Sequence, residues 1–446
     1  MTFQRAHWNK DDLGRRLCHA LNVAELAVKR LAARGYIDKD TPGNSVRAEK
    51  LISETAFLLF VASTASHSGE VSSRINSLVQ LLIPHARSER MLLGVCLEPA
   101  LALDYAQAHI CLKRLGYPDG DFDELLQRSG LSQAHAGRER TPHRLLEQEW
   151  LHEGLANERS KRISLTARRC VLNWPMDLLG SSREDLYAFT HALMYVTDFN
   201  VCHRWLPRRR SVILGEAEAS LARCLDEEDY DLAGEMLLAW PLTGRSWSAA
   251  SVFGFRVLAH VEDQAGFLPA PSTRLATLDR LEADDRLDYL LATAYHTVFV
   301  MGLLCAVALQ PGRTPPVALP TNCVAPGCAD WLLQVIDADG KDTHWREEVN
   351  LLDKPDRDAL AGFLLNVAIR RRVRARDFPG LHELLGKAYG LGLANTPSSS
   401  QAAEMLERIA TLAKLRSARK ANEDHSLLQD SDRPQNQHVA MKVANR

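Results

Sequence analysis

Apolar residues recur at helical spacing through almost the whole chain, and strand-type alternation is almost absent. Between residues 13 and 31, Leu17, Leu21, Ala24, Val28 and Leu31 mark one face. Arg15, Arg16, Lys29 and Arg30 fall largely off it, which predicts an amphipathic helix. The same pattern predicts helices over 50–64, 72–83, 99–115, 183–197, 216–226, 230–239, 249–264, 286–308, 329–337, 356–376, 380–390 and 400–418. Turn residues separate them: Thr41, Pro42, Gly43 and Asn44; Tyr117, Pro118, Asp119 and Gly120; Pro241; Pro269 and Pro271; Pro311, Gly312, Pro315 and Pro316. The expected fold is all-α, either an α/α toroid or a helical-hairpin superhelix, because several helices are apolar around much of their circumference and need burial on two sides.

The chain is 446 residues long, enough for one large domain or two or three smaller ones. The expected divisions are an amino-terminal helical bundle over 1–133, a charged connector over 134–162, a main helical body over 163–377, a terminal helical pair over 378–419 and a disordered polar tail over 420–446. Lys plus Arg number 54 against 56 Asp plus Glu, so the surface lacks the cationic excess of a dedicated nucleic-acid binder. No secretory h-region opens the sequence and no apolar run reaches membrane-spanning length, so the expected location is the cytoplasm, without a membrane partner. Nine cysteines without CxxC spacing read as reduced thiols, most of them in apolar helical stretches.

The segment from Asp185 to Asn200 carries the most chemistry. Tyr187, His191, Tyr195 and Asp198 follow at intervals of four, four and three, which places them on one helix face. A neutral histidine beside tyrosine and carboxylate is what general acid–base work requires, although a buried His–Tyr pair can also simply satisfy its own hydrogen bonds. Arg256, His260 and Asp263 repeat the pattern at i, i+4 and i+7, where the arginine could hold an anion while the histidine moves a proton. A surface salt-bridge ladder is the alternative. His296 enters a third, strongly apolar helix. Three such helices could converge and make His191, Asp198, His260 and His296 catalytic, with Tyr187, Tyr195, Arg256 and Asp263 binding substrate.

Glu228, Asp231 and Glu235 share a face of another predicted helix. Asp284, Asp285 and Asp288 match the DDxxD pattern through which class I terpene synthases and prenyltransferases hold magnesium and diphosphate, although the second magnesium motif of those enzymes has no core counterpart here. These three are the weak metal candidates; magnesium is a possible cofactor, the histidines with Asp could equally form a metal site, and none is favoured. Basic runs stand at Arg204 with Arg208 to Arg210, and at Arg370 to Arg376, readable as anion-binding rims or as solvated helix faces. Cys323 and Cys328, followed by His344, form half of a zinc knuckle. The chain has no Walker loop, no GxGxxG after a strand, no HExxH and no nucleophile elbow, which disfavours nucleotide hydrolysis, Rossmann redox chemistry and standard hydrolase mechanisms.

The stretches from Ala188 to Phe199, Tyr230 to Pro241 and Tyr295 to Leu304 resemble an uncharacterised family of bacterial all-helical proteins found near specialised-metabolite genes. The resemblance covers roughly 183–308 and implies a biosynthetic setting but no catalytic residues. A more distant analogy links the chain to α/α-toroid enzymes such as lanthionine cyclases and terpene cyclases, without the zinc ligands of the former or the full aspartate set of the latter. The functional expectation is therefore a small-molecule biosynthetic enzyme using His/Asp acid–base chemistry for cyclisation, elimination or group transfer. The alternatives are a non-catalytic helical scaffold for a protein or peptide partner and a magnesium-diphosphate enzyme of terpene type.

Overall fold

The computed structural model describes residues 9–31, 47–65, 69–128, 138–156, 164–201, 205–321, 326–337, 343–393 and 395–431, with side chains described up to residue 419. Among the described residues all regular structure is helical, as the periodicity predicts. The first group of helices is α1 (Lys10–Lys29), α2 (Ala48–Ser63), α3 (Gly69–Ala86), α4 (Glu89–Leu97), α5 (Ala102–Arg114), α6 (Gly120–Arg128) and α7 (Pro142–Ala156). The second is α8 (Arg183–Thr197), α9 (Arg210–Asp226), α10 (Tyr230–Leu237), α11 (Ala239–Thr243), α12 (Ala249–Ala265), α13 (Leu275–Leu278), α14 (Ala283–Thr293) and α15 (Tyr295–Ala308). The last is α16 (Cys328–Asp337), α17 (His344–Asn350), α18 (Lys354–Ala359), α19 (Ala361–Arg374), α20 (Phe378–Gly390) and α21 (Pro397–Ser431).

Helix α15 organises the packing. It is apolar around its whole circumference, and every residue except His296 is buried. A helix with no polar face must be enclosed, and α1, α2, α10, α11 and α14 all pack against it. Two glycines set how closely they come. A Cβ on Gly302 would lie 2.6 Å from the Ala20 Cβ of α1, and one on Gly234 would lie 2.7 Å from Val300 Cγ1 of α15. Bare backbone at these positions draws α1 and α10 onto the central helix.

One apolar core joins Leu13 to Ala402. Helices α1 and α2, from the stretch expected as an amino-terminal bundle, thus pack directly on α15 of the expected main body. In the stretch expected as a charged connector, α7 buries Leu146, Trp150 and Leu151 and packs on α5 and α8. Further along, α19 packs on α9, and α17 on α12. The single helix expected over 286–308 is broken at Ala294, where α14 and α15 meet at 64°. Ala294 leaves the helical region at φ −124°, and the bend keeps the charged α14 outside while α15 turns inward. The helix expected over 356–376 likewise divides at Leu360 into α18 and α19. Helix α21 continues to Ser431, past residue 420 where the polar composition predicts disorder. The rest of that tail and the break at Thr41 to Asn44 lie outside the described residues. Among the described residues no single helix is long and apolar enough to cross a membrane, and seven cysteines are free thiols.

Replacing Gly302 with leucine forces α1 and α15 apart and should destabilise the chain by about 1–3 kcal/mol. At Gly386 in α20 a Cβ would meet nothing within 4 Å. Gly386→Ala should therefore stabilise by about 0.5–1 kcal/mol through helix propensity. Urea denaturation midpoints of the two variants should move in opposite directions.

Candidate functional site

A capping box starts α8: the Ser182 hydroxyl accepts from Asp185 N, and Ser182 N donates to the Asp185 carboxylate at 2.7 Å. The helix then carries Tyr187, Thr190, His191 and Tyr195 past α10 and α7. Helix α10 is started by Asp229, whose side chain accepts from Leu232 N. The spacing of four places Asp231 and Glu235 on one face of α10, and the close approach at Gly234 holds α10 against α15. His296 stands in the first turn of α15.

These helices converge on one buried cluster. His296 Nε2 lies 3.6 Å from Asp231 Oδ1 and 3.9 Å from Glu235 Oε1, and its Nδ1 lies 3.2 Å from Glu54 Oε2 on α2. The other carboxylate oxygens are held from outside. Asp231 Oδ2 accepts from Arg183 at 3.0 Å. Glu235 Oε2 accepts from the Thr190 hydroxyl and stands 3.6 Å from His191 Nδ1. One ligand atom each of Asp231, Glu235 and His296 lies within 4.8 Å of the other two, and among the described residues these three form the group that could hold a metal ion.

The chemistry of His191 is fixed by its backbone partner. Its Nδ1 donates to the Tyr187 carbonyl oxygen at 3.1 Å, which places the proton on Nδ1 and leaves Nε2 as the acceptor. Burial, and then the nearby Arg144, hold the ring well below the usual imidazole range. Tyr187 stacks on it with ring centroids 3.7 Å apart, and His143 of α7 meets it edge-on. Tyr195 donates to Glu147 at 2.7 Å, and burial followed by that carboxylate pushes its phenol well up. Across the cluster the shifts oppose one another. Burial and then Asp231 push Glu235 up to about 8. Burial works against the charged form of His296, but Glu54 and Asp231 outweigh it and raise the ring to about 9. Burial likewise opposes ionisation of Glu54, and His296 overcomes it, drawing the carboxyl down to about 2. Three partly exposed cations surround the cluster, each tied to an acid of α2, α7 or α10: Lys50 to Glu54, Arg144 to Glu147 and Arg183 to Asp231.

Of the residues singled out in the sequence, Tyr187, His191, Tyr195, Asp231, Glu235 and His296 come together. The remaining candidates are held elsewhere. Asp198 is fully buried, but it accepts from Trp150 Nε1 at 2.6 Å and Arg114 at 3.1 Å rather than orienting His191. The helical spacing fails there because Asp198, Phe199 and Asn200 all have positive φ, so α8 has ended. His260 faces Glu348 at 3.1 Å, where α12 packs on α17, and Gln264 at 2.6 Å. Arg256 donates to the Val317 carbonyl at 2.6 Å, and Asp263 pairs with Arg15 and Arg16 of α1. Asp284 and Asp288 share Arg30 at the surface, and Asp285 is exposed. Glu228 turns away from Asp231 and Glu235 to pair with His344 at 2.8 Å. Cys323 and Arg204 lie outside the described residues.

Both basic runs line surface cavities, and neither cavity contains a residue of the cluster. One, of about 700 Å³, has Arg223, Arg370 and Arg374 around Glu227. The other, of about 350 Å³, joins Trp205 to Arg208, Arg209, Arg210 and Arg245. The convergence of donor atoms, not cavity size, marks the site. Sequence reading missed Glu54 and the α7 residues His143, Arg144 and Glu147. A signal for Glu54 was available, since it is the one acid between Leu51 and Ser63 in a helix otherwise almost entirely apolar.

A family model described as a domain of unknown function (DUF6895) matches residues 19–306. That span holds all the cluster residues. No curated protein and no solved structure matches the chain.

The Arg114 side chain is 7% exposed and leans on the Phe60 ring at 4.0 Å, so Asp198 is needed to balance its charge. Asp198→Ala strands that guanidinium and should cost about 3–5 kcal/mol of stability by denaturant unfolding. A purely catalytic aspartate would leave stability nearly unchanged.

Proposed function

For this chain, which belongs to the DUF6895 family of unknown function, we propose an enzyme that acts on a small anionic molecule at the junction of α8, α10 and α15. The observation that carries the reading is the tautomer of His191, whose Nδ1 bonds to the Tyr187 carbonyl and lies 3.6 Å from Glu235, leaving Nε2 as the acceptor. His191 is the base, which takes a proton from the substrate. Tyr187 supplies an aromatic wall at the imidazole, and Lys50, Arg144 and Arg183 favour a negatively charged substrate at the approach. Cyclisation, elimination and group transfer all use such a proton step. Free thiols, five of them buried, support a reducing compartment, which for this reading is the cytoplasm.

Thermal melting of the full chain against a panel of phosphorylated and carboxylated metabolites, followed by mass spectrometry of each stabilising compound, tests the proposal. At least one compound should be converted. His191→Ala should cut the turnover of that compound by about 10²–10⁴-fold while keeping its melting shift. Stabilisation without turnover of any compound, or a variant as fast as the wild type, would remove His191 from catalysis. A stable complex with a protein and no turnover would support the scaffold instead.

A further inference from the structure

We propose that Asp231, Glu235 and His296 bind a divalent first-row transition cation such as manganese(II), iron(II) or zinc(II). The inference deepens the reading above. It rests on that reading for the use made of the ion, not for its binding.

Each donor turns one atom inward and has its other atom engaged from outside. Arg183 holds Asp231 Oδ2, leaving Oδ1 with only a long 3.4 Å contact from Thr297. Thr190 holds Glu235 Oε2. The Glu235 side chain is 2% exposed, yet no described residue donates a hydrogen bond to its Oε1, which faces His296 Nε2 at 3.9 Å. Two carboxylate oxygens and one imidazole nitrogen within 4.8 Å of one another offer a cation its ligands. His296 directs Nδ1 at Glu54 and Nε2 at the two carboxylates. That carboxylate–histidine arrangement orients an imidazole for a metal and strengthens it as a ligand.

Donor chemistry narrows the ion. One imidazole nitrogen with two carboxylate oxygens suits manganese, iron or zinc better than magnesium or calcium, which prefer oxygen alone. Three protein ligands leave positions for water or substrate. His191 stands beside the ligand set, with its Nδ1 3.6 Å from the Glu235 carboxylate.

Isothermal titration of the chelator-treated full chain with manganese(II) chloride and with zinc(II) chloride, and metal analysis after gel filtration, tests the inference. About one equivalent should bind, zinc more tightly than manganese. Glu235→Gln and His296→Gln should each weaken binding by about 100-fold or more, and Glu54→Gln by about 10- to 100-fold through the lost orientation of His296. Asp284→Asn, at the surface DDxxD sequence, should bind as the wild type does. Absence of binding, or binding unchanged in Glu235→Gln and His296→Gln, overturns the inference. Circular dichroism confirms folding, and if Glu235→Gln does not fold, His296→Gln decides, since its side chain is 30% exposed. The two proposals fail separately: turnover by a metal-free chain would remove the ion and keep the enzyme, whereas metal binding without turnover of any compound would keep the ion and remove the enzyme.

Discussion

Enclosure of α15 is the constraint on which the rest of the structure depends. A helix with no polar side cannot rest on a surface, so the chain spends α1, α2, α10, α11 and α14 on covering it. The requirement ties distant parts of the sequence together: α1 and α2 precede α15 by more than half of the matched domain, yet share its core. The cover is incomplete only at the first turn, where His296 meets acids from α2 and α10. The same event that buries the apolar helix therefore assembles the polar cluster. Desolvation raises the stakes at Glu235, whose side chain is 2% exposed, because unmatched buried charge is costly.

The period of 3.6 residues made the helices legible, since burial of one face leaves a repeating trace in composition. It also showed that Tyr187, His191 and Tyr195 share a face, and so do Asp231 and Glu235. What periodicity cannot carry is which faces meet. His296 joins His191 through Glu235, whereas His260, with an equally persuasive pattern, faces α17. Breaks were legible where proline or glycine caused them. The bend at Ala294 has neither residue; it follows from a charged segment and an apolar one needing different environments. Asp198 shows the limit of extrapolating a helical wheel: one residue past the last turn, the backbone turns left-handed and the side chain points to α5 and α7.

Arginine serves three different ends in this chain. Arg16, paired with three carboxylates, and Arg114, paired with Asp198, are buried and form part of the core. Arg183 and Arg144 hold acids of the cluster in place from a half-exposed position. Arg223, Arg370 and Arg374 crowd a single glutamate beside an open cavity. The planar, fork-shaped guanidinium suits all three, since it can bond to several carbonyls and carboxylates at once. Several arginines of the basic runs, among them Arg208, Arg371 and Arg372, are paired with carboxylates.

The left-handed residues 198 to 200 also set the azimuth of α8. Asp198 fastens the end of the helix to Arg114 and Trp150, and Asn200 fastens it to Gln310 just past α15. Each residue of an α-helix turns the next by about 100°, so releasing this clamp by a single step would swing His191 out of the cluster. The imidazole is thus aimed from a point seven residues away, about 10 Å along the axis. The turn works as a rotational lock: three consecutive left-handed residues, a conformation that costs free energy, are held by the buried Arg114–Asp198 pair.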